Sequence, residues 1–286
     1  MSSTAPDRYA VLGNPVAHSQ SPFIHAEFAR QTGQAVDYTR VLCAMDGFVE
    51  AVQAFAESGG RGCNVTVPFK FQSGALARTV TPRAQLAQAA NVLRFDAGGW
   101  LADNTDGIGL VRDIEQHAGL RLHGLRVLLV GAGGAAAGVL GPLIEGQPAQ
   151  VHLANRSTER ALALAQRHQP LAAAHGVVLV AGGLEQGDAG YDLVLNASAS
   201  SLGGAAVPVP DRVLKPGALA VDLMYGAAAR PFMDWAASLG AVPRDGLGML
   251  VEQAAEAFFL WRGVRPATAE VLQRLRRHLD AAAPKP

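Results

Sequence analysis

Residues 126–160 read RVLLVGAGGAAAGVLGPLIEGQPAQVHLANRSTER, and the order of residue types along them decides the fold. Residues 127–130 form an apolar run short enough for a strand buried on both faces. The run ends in Gly131-Ala132-Gly133-Gly134-Ala135, an alanine-rich helical stretch continues to Glu145, and Gly146 stops it. A second apolar run at 151–154 completes a βαβ unit. Gly131 permits a tight strand-to-helix turn and Gly133 lets the backbone approach a pyrophosphate. Ala136 stands where a third small residue packs helix against strand. The helix start then offers free N–H groups and a positive dipole end to phosphates.

Glycine-rich turns close many βα units that bind nothing, so the end of the second strand carries the discrimination. An NAD site usually has an acidic residue about 20 residues beyond the glycines, bonded to the ribose 2′-hydroxyl. Here the strand ends in Asn155-Arg156-Ser157, with Arg160 one turn further on. An arginine there pairs with a 2′-phosphate through its planar fork. The competing reading is a solvated basic turn, but the helix dipole disfavours cations at a helix start. The stretch therefore predicts an NADP site.

At 286 residues the chain exceeds one typical core, so two domains are expected. Hydrophobic residues make up 49% and charged residues 17%, which describes a packed globule and not a disordered chain. Basic and acidic residues balance at 24 each, without a long like-charge block, so neither a nucleic-acid partner nor a membrane surface is expected. Two cysteines, Cys43 and Cys63, do not make a disulfide framework, and a reduced, cytoplasmic compartment fits. The start of the chain lacks a basic region followed by an apolar core, so no signal peptide is expected. Residues 127–144 hold no charge, which by length resembles a membrane span. Their five glycines and Pro142 favour strand, turn and helix instead. The eight histidines are scattered and no Cys/His cluster occurs, so no metal site is expected. A GxSxG elbow is absent as well.

Ahead of the nucleotide unit the chain also alternates strand and helix, so an α/β class is predicted throughout. Residues 9–12 form a strand ended by Gly13-Asn14-Pro15, and His18-Ser19-Gln20-Ser21-Pro22 leads into a helix closed by Gly33. Ser21 suits the N-cap of that helix and Pro22 its first position; Ser19 has no comparable structural role. A strand at 36–42, a helix at 46–58 and a strand at 63–67 follow. Alternation puts Asn64 and Thr66 on one face, with Lys70 just past the strand end, where ligands of α/β sheets bind. Taken alone, such a lysine is commonly a surface residue with a buried stem. A helix at 84–90 and a hairpin at 91–103 precede Asp103-Asn104-Thr105-Asp106-Gly107. Asp106 there is either a helix cap or part of a site at the domain junction. Apolar runs at 177–181, 191–196 and 218–223, with Val242 near a last short strand, complete a six-stranded doubly wound sheet. Asn196 and Tyr225 follow two of these strands on the ligand-binding rim. The helix after Asp245-Gly246-Leu247-Gly248-Met249 exceeds the needs of a nucleotide domain and is expected to pack back on the first one.

Together GNPVAHSQSP, NVTVPFK, DNTDG, GAGGA with NRS, and DGLGML with Gln253 resemble the shikimate dehydrogenase family of the aromatic amino-acid pathway. The pieces span nearly the whole chain in family order. The resemblance implies a substrate-binding domain at 1–106, completed by 246–286, and a Rossmann-type NADP domain at 107–245. It implies a shikimate pocket of Ser19, Ser21, Asn64, Thr66, Asn91, Tyr225 and Gln253, with Lys70 as acid/base assisted by Asp106. It places NADP on Gly131, Ala132, Gly133, Gly134, Ala135, Asn155, Arg156, Ser157, Arg160 and Asn196, with Gly246 and Met249 toward the nicotinamide. A monomer or homodimer is expected. Hydride transfer belongs to the nicotinamide, which leaves a protein group to manage the proton. A lysine does this when burial lowers its pKa toward neutrality. A polyhydroxylated carboxylate suits a pocket of serine, threonine and amides, because each buried hydroxyl needs a partner.

Phe71, Val92, Arg230 and Ala199-Ser200-Ser201 depart from the family pattern. A quinate or dual quinate/shikimate dehydrogenase is the near alternative, opposed by Ser19, Ser21, Arg156 and Arg160. A non-catalytic nucleotide sensor is the distant one, opposed by the retention of both Lys70 and Asp106.

Overall fold

The computed structural model describes residues 5–198 and 208–282, so the departure at Ala199-Ser200-Ser201 lies outside the described residues. The chain forms two compact units. One comprises the residues up to Gly109 together with those from Val251, and the other runs from Leu110 to Leu250. The first therefore reaches beyond Asp106, and the second beyond Asp245, because a helix runs through each of these boundaries.

In the first unit the order is β1 (Asp7–Gly13), α1 (Ser21–Thr32), β2 (Val36–Leu42), α2 (Phe48–Glu57), β3 (Gly60–Val65) and α3 (Lys70–Ser73). Then follow β4 (Thr79–Val80), α4 (Pro82–Ala87), β5 (Val92–Arg94), β6 (Leu101–Asp103) and α5 (Asp106–Arg112), the last crossing into the second unit. The sheet order is β2-β1-β3-β5-β6-β4. β1 lies parallel to both β2 and β3, while β5 runs antiparallel to β3 and β6. One face of the sheet buries Leu12, Cys63 and Leu93 against Phe48, Val52 and Phe69.

Local chemistry explains several boundaries. Gly33 ends α1 in the left-handed region at φ 65°, a conformation that costs glycine little. Pro22 sits at the helix start as expected, but the N-cap is Gln20 and Ser21 lies inside the helix. β3 stops at Val65 and does not continue to residue 67, so Thr66 stands beyond the strand with its N–H donated to Leu12 O at 2.9 Å. Helix α4 ends at Ala87, because Gln88 turns left-handed. The two-residue β4 had no pattern long enough to read.

The second unit contains β7 (Arg126–Val130), α6 (Gly134–Glu145), β8 (Gln150–Ala154), α7 (Thr158–Ala174), β9 (Val178–Gly182), β10 (Tyr191–Asn196), β11 (Leu214–Asp222), α8 (Arg230–Ser238) and β12 (Val242–Arg244). Its six strands are all parallel in the order β12-β11-β10-β7-β8-β9. Connections wind outward from β7 in both directions, the doubly wound arrangement expected from residues 126–160. The topological switch point falls between β7 and β10, where ligands of such sheets bind. No helix among the described residues is long and apolar enough to cross a membrane.

Helix α9 (Leu247–Arg262) leads back to the first unit and α10 (Ala269–Ala282) follows it. Trp261 stacks on Tyr9 at 4.6 Å between centroids and donates to Leu93 O at 3.0 Å. Arg262 pairs with Asp7, and Arg274 with Glu27 at 3.1 Å. The C-terminal helices pack on the first unit, as expected.

Candidate active site

Lys70 opens the short helix α3 immediately after Phe69, which is fully buried and stacked on Phe48 at 4.6 Å. That anchor fixes where the lysine leaves the chain. Its carbonyl accepts from Ala90 N–H at 2.8 Å, and Ser73 Oγ donates to Ala90 O at 2.6 Å, which closes the pin between α3 and the start of β5. The side chain is not that of a surface lysine. It is 17% exposed, and Nζ donates to Asp106 Oδ2 at 2.6 Å.

Asp106 is 6% exposed at its side chain, and its second oxygen accepts from Asn91 Nδ2 at 2.8 Å. Both carboxylate oxygens thus face the site, and the helix-cap reading of Asp106 fails. Asn104 takes over that task, since its Oδ1 accepts the Asp106 N–H at 3.1 Å. Asn91 also faces Gln253 Oε1 at 3.2 Å and Thr105 Oγ1 at 3.1 Å, while its own Oδ1 accepts the Thr105 N–H at 2.8 Å. Asn64 belongs to the same connected set, donating to Asn91 O at 3.2 Å and accepting from Tyr38 Oη at 2.6 Å. Burial pushes the Tyr38 phenol well above its usual range, so it stays a proton donor. Beneath it His25 stacks on the Tyr38 ring at 4.2 Å, and burial lowers its pKa to about 3, which keeps it neutral.

Ser19 and Ser21 form a pair that the Ser21 side chain ties to Tyr38. Ser19 Oγ donates to Ser21 Oγ at 3.2 Å and accepts the Ser21 N–H at 3.3 Å. Ser19, which the sequence left without a structural role, has one after all: it accepts an N–H at the start of α1. Asp103 belongs to a structural network and not to the site. It is buried, accepts from Thr81 Oγ1 at 2.6 Å, and binds Arg83 at 2.7 and 2.5 Å.

In the second unit Gly131 has φ 116°, and a Cβ there would meet the Ala197 backbone at 3.0 Å. Only glycine makes this turn without strain. Gly133 faces open space, with nothing within 4 Å of a Cβ position, and α6 begins at Gly134. The first N–H groups of α6, those of Gly134 and Ala135 among them, precede any intrahelical acceptor, so the turn offers donors and room to a diphosphate. Ala132 precedes this open position. Arg156 and Arg160 are exposed, and among the described residues neither has a carboxylate partner. Asn155 Nδ2 donates to Ser157 O at 2.9 Å, and Ser157 Oγ donates to Glu159 at 2.9 Å. This glycine cradle, with two unneutralised guanidinium groups at the end of the next strand, fits a dinucleotide carrying a 2′-phosphate.

Asn196 is buried at the end of β10, donates to Asp222 Oδ2 at 3.1 Å and accepts from Ser198 N at 3.2 Å, so its side chain shapes the rim. Tyr225 is half-buried just past β11. Gly246 N donates to Met224 O at 2.8 Å, and Met249 is buried in the first turn of α9. Among the described residues no group of three or more His, Cys, Asp or Glu side chains is placed to hold a metal ion.

Residues 11–93 match the model of the shikimate dehydrogenase substrate binding domain. Residues 113–201 match shikimate / quinate 5-dehydrogenase, and 246–276 the shikimate 5′-dehydrogenase C-terminal domain. The NADP(+) shikimate dehydrogenase of Methylibium petroleiphilum is 63% identical over 286 residues, covering 98% of this chain and 97% of its own. The chain belongs to the shikimate dehydrogenase family. Two solved structures are similar over nearly the whole length. The Ael1 enzyme of Pseudomonas putida is 44% identical, with a TM-score of 0.85 and coverage of 94% of this chain and 98% of that one. The family enzyme of Thermus thermophilus, solved with NADP(H) and shikimate, is 32% identical with a TM-score of 0.83. It covers 95% of this chain and 99% of its own.

Two residues of this network, Thr105 and Tyr38, are not among those the sequence marks as candidates. Thr105 stands within Asp103-Asn104-Thr105-Asp106-Gly107, so its signal is in the sequence. Tyr38 lay in a strand whose alternation does not say which face meets the site. Of the departures from the family pattern, Phe71 is 56% exposed and Arg230 is exposed, whereas Val92 is fully buried and serves the core.

Proposed function

We propose that the protein catalyses the reversible NADPH-dependent reduction of 3-dehydroshikimate to shikimate, with Lys70 as the acid/base and Asp106 as its partner. The observation that carries the mechanism is the 2.6 Å bond from Lys70 Nζ to Asp106 Oδ2 inside a network of buried amides. When bound, the nicotinamide supplies or accepts the hydride. In the reducing direction the Lys70 ammonium donates a proton to the carbonyl oxygen, and in the oxidising direction Nζ takes the hydroxyl proton. Asp106 balances the charge of Lys70 and holds Nζ in one place, so the proton moves without a rearrangement of the lysine stem. Asn64, Thr66, Asn91 and Gln253 supply partners for substrate hydroxyls and Ser19 and Ser21 for its carboxylate; the family resemblance adds Tyr225 to the substrate residues. NADP lies on the glycine turn and on Asn155, Arg156, Ser157 and Arg160, with Asn196, Gly246 and Met249 lining the rim. The cytoplasmic location we propose agrees with the free, buried cysteines Cys43 and Cys63, and a monomer or homodimer is part of the same proposal.

The test is an assay of reduced-nicotinamide formation with shikimate or quinate, each with NADP+ or NAD+. Turnover chiefly with shikimate and NADP+ is expected. Comparable rates with quinate or NAD+ would move the protein to the dual-specificity reading, and no turnover with any pair would leave the sensor reading. Arg156→Ala is expected to raise the KM for NADP+ by roughly 10- to 100-fold, the value of a charge-assisted bond, and to spare NAD+. Equal losses for both cofactors would show that another group holds the phosphate.

A further inference from the structure

Strand β2 carries none of the segments that pointed to the site, yet Arg40 on it reaches the Ser19–Ser21 turn. Its Nε donates to the Ser19 carbonyl oxygen at 2.9 Å and its Nη2 to the same oxygen at 2.6 Å. That acceptor is neutral. Among other arginines of this unit, Arg30 binds Glu27, Arg61 and Arg262 bind Asp7, Arg83 binds Asp103 and Arg94 binds Asp96, while Arg8 and Arg78, like Arg40, bind backbone carbonyls, those of Ser58 and Gly98. The carbonyl that Arg40 holds is the one in the Ser19–Ser21 turn. Arg40 is held by two bonds while its charge stays unbalanced, since among the described residues it has no carboxylate partner. The side chain remains open to solvent. Its charge also opposes the effect of burial on Tyr38, which stands two residues earlier on the same face of β2.

Serine hydroxyls orient a carboxylate but do not neutralise it. A desolvated carboxylate needs a cation to offset the loss of water. A guanidinium already fixed by its own hydrogen bonds loses little further freedom when an anion arrives. We propose that Arg40 is a specificity-determining residue for an anionic substrate: it supplies the positive charge that brings a carboxylate onto Ser19 and Ser21. This rests on the shikimate reading given above.

The experiment compares the full-length wild type, Arg40→Gln and Arg40→Lys with saturating NADP+. Each is given shikimate and, as a substrate or a competitive inhibitor, the uncharged methyl ester of shikimate. Arg40→Gln is expected to raise the KM for shikimate about tenfold, keep kcat within about twofold, and leave the constant for the ester nearly unchanged. Arg40→Lys, which keeps the charge but not the fork, is expected to raise that KM by no more than about threefold. Added salt should weaken wild-type kcat/KM for the acid and not for the ester. The proposal is overturned if Arg40→Gln leaves the KM for shikimate unchanged, if acid and ester suffer equally, or if Lys is as damaging as Gln. Should Arg40→Gln fail to fold, the lysine variant and the salt dependence decide alone. No turnover of shikimate by the wild type would instead overturn the activity, and the role of Arg40 with it.

Discussion

Replacing Lys70 by alanine is expected to lower kcat by roughly two to four orders of magnitude, the range for loss of a positioned acid/base. The expectation rests on a side chain whose Nζ is held by Asp106 at 2.6 Å, and whose backbone is pinned to Ala90. Because the pin uses the Lys70 carbonyl, alanine preserves it and the fold should be kept, although the melting temperature should fall by several degrees because buried Asp106 loses its cation. The KM for NADP+ should also stay within about threefold, since the cofactor is assigned to other residues. Single-turnover kinetics with shikimate separates the chemical step from release. An unchanged kcat would remove Lys70 from proton transfer and turn attention to the Asp106 carboxylate.

The largest effect on stability is expected at Asp113, outside the site. It lies in the π-helical turn Asp113–His117 that follows α5, and it is fully buried. Both its oxygens are bound by Arg244 at the end of β12, at 2.7 and 2.5 Å. Gly248 packs so closely on this carboxylate that a Cβ there would overlap it. Asp113→Ala removes the carboxylate from a largely buried arginine and opens a gap beside Gly248. Breaking a buried pair from one side costs about 3–5 kcal/mol, and partial exposure of Arg244 argues for the lower end. For a chain of this size that is a fall of roughly 10 °C in melting temperature. Calorimetry on wild type, Asp113→Ala and Arg244→Ala tests it. A shift below about 2 °C would mean that the pair contributes nothing net.

The second unit was legible because a parallel sheet buries its strands on both faces. Short apolar runs ended by glycine or asparagine mark such strands, and the glycine turn fixes the first of them. Lys70, Asp106, Asn64 and Asn91 were legible because they stand at strand or helix ends, where polar residues interrupt apolar patterns. What stayed hidden is chemistry joined across long sequence distances. Nothing local tells that Arg244 meets Asp113, that Asp103 meets Arg83, or that Tyr38 meets Asn64. Serine is the better capping type, yet the chain puts Gln20 at the N-cap of α1 and bonds the two serine hydroxyls to one another. β11 starts at Leu214, earlier than expected, because Lys215-Pro216-Gly217 breaks the apolar run without breaking the strand.

The first unit is interrupted in sequence, its sheet lying before Gly109 and its last helices after Val251. During synthesis the chain leaves the ribosome from its N-terminus, so β1 to β6 emerge long before the helix that carries Gln253 and Trp261. Until then Asn91 lacks its bond to Gln253, and Arg83 its contact with Glu256 at 3.2 Å. The inserted nucleotide unit is continuous from Leu110 to Leu250 and can finish folding while the first waits. Nascent chains stalled before α9 should thus protect the second sheet from protease and leave the first open, with the Asn91 and Arg83 contacts completed only once α9 has emerged.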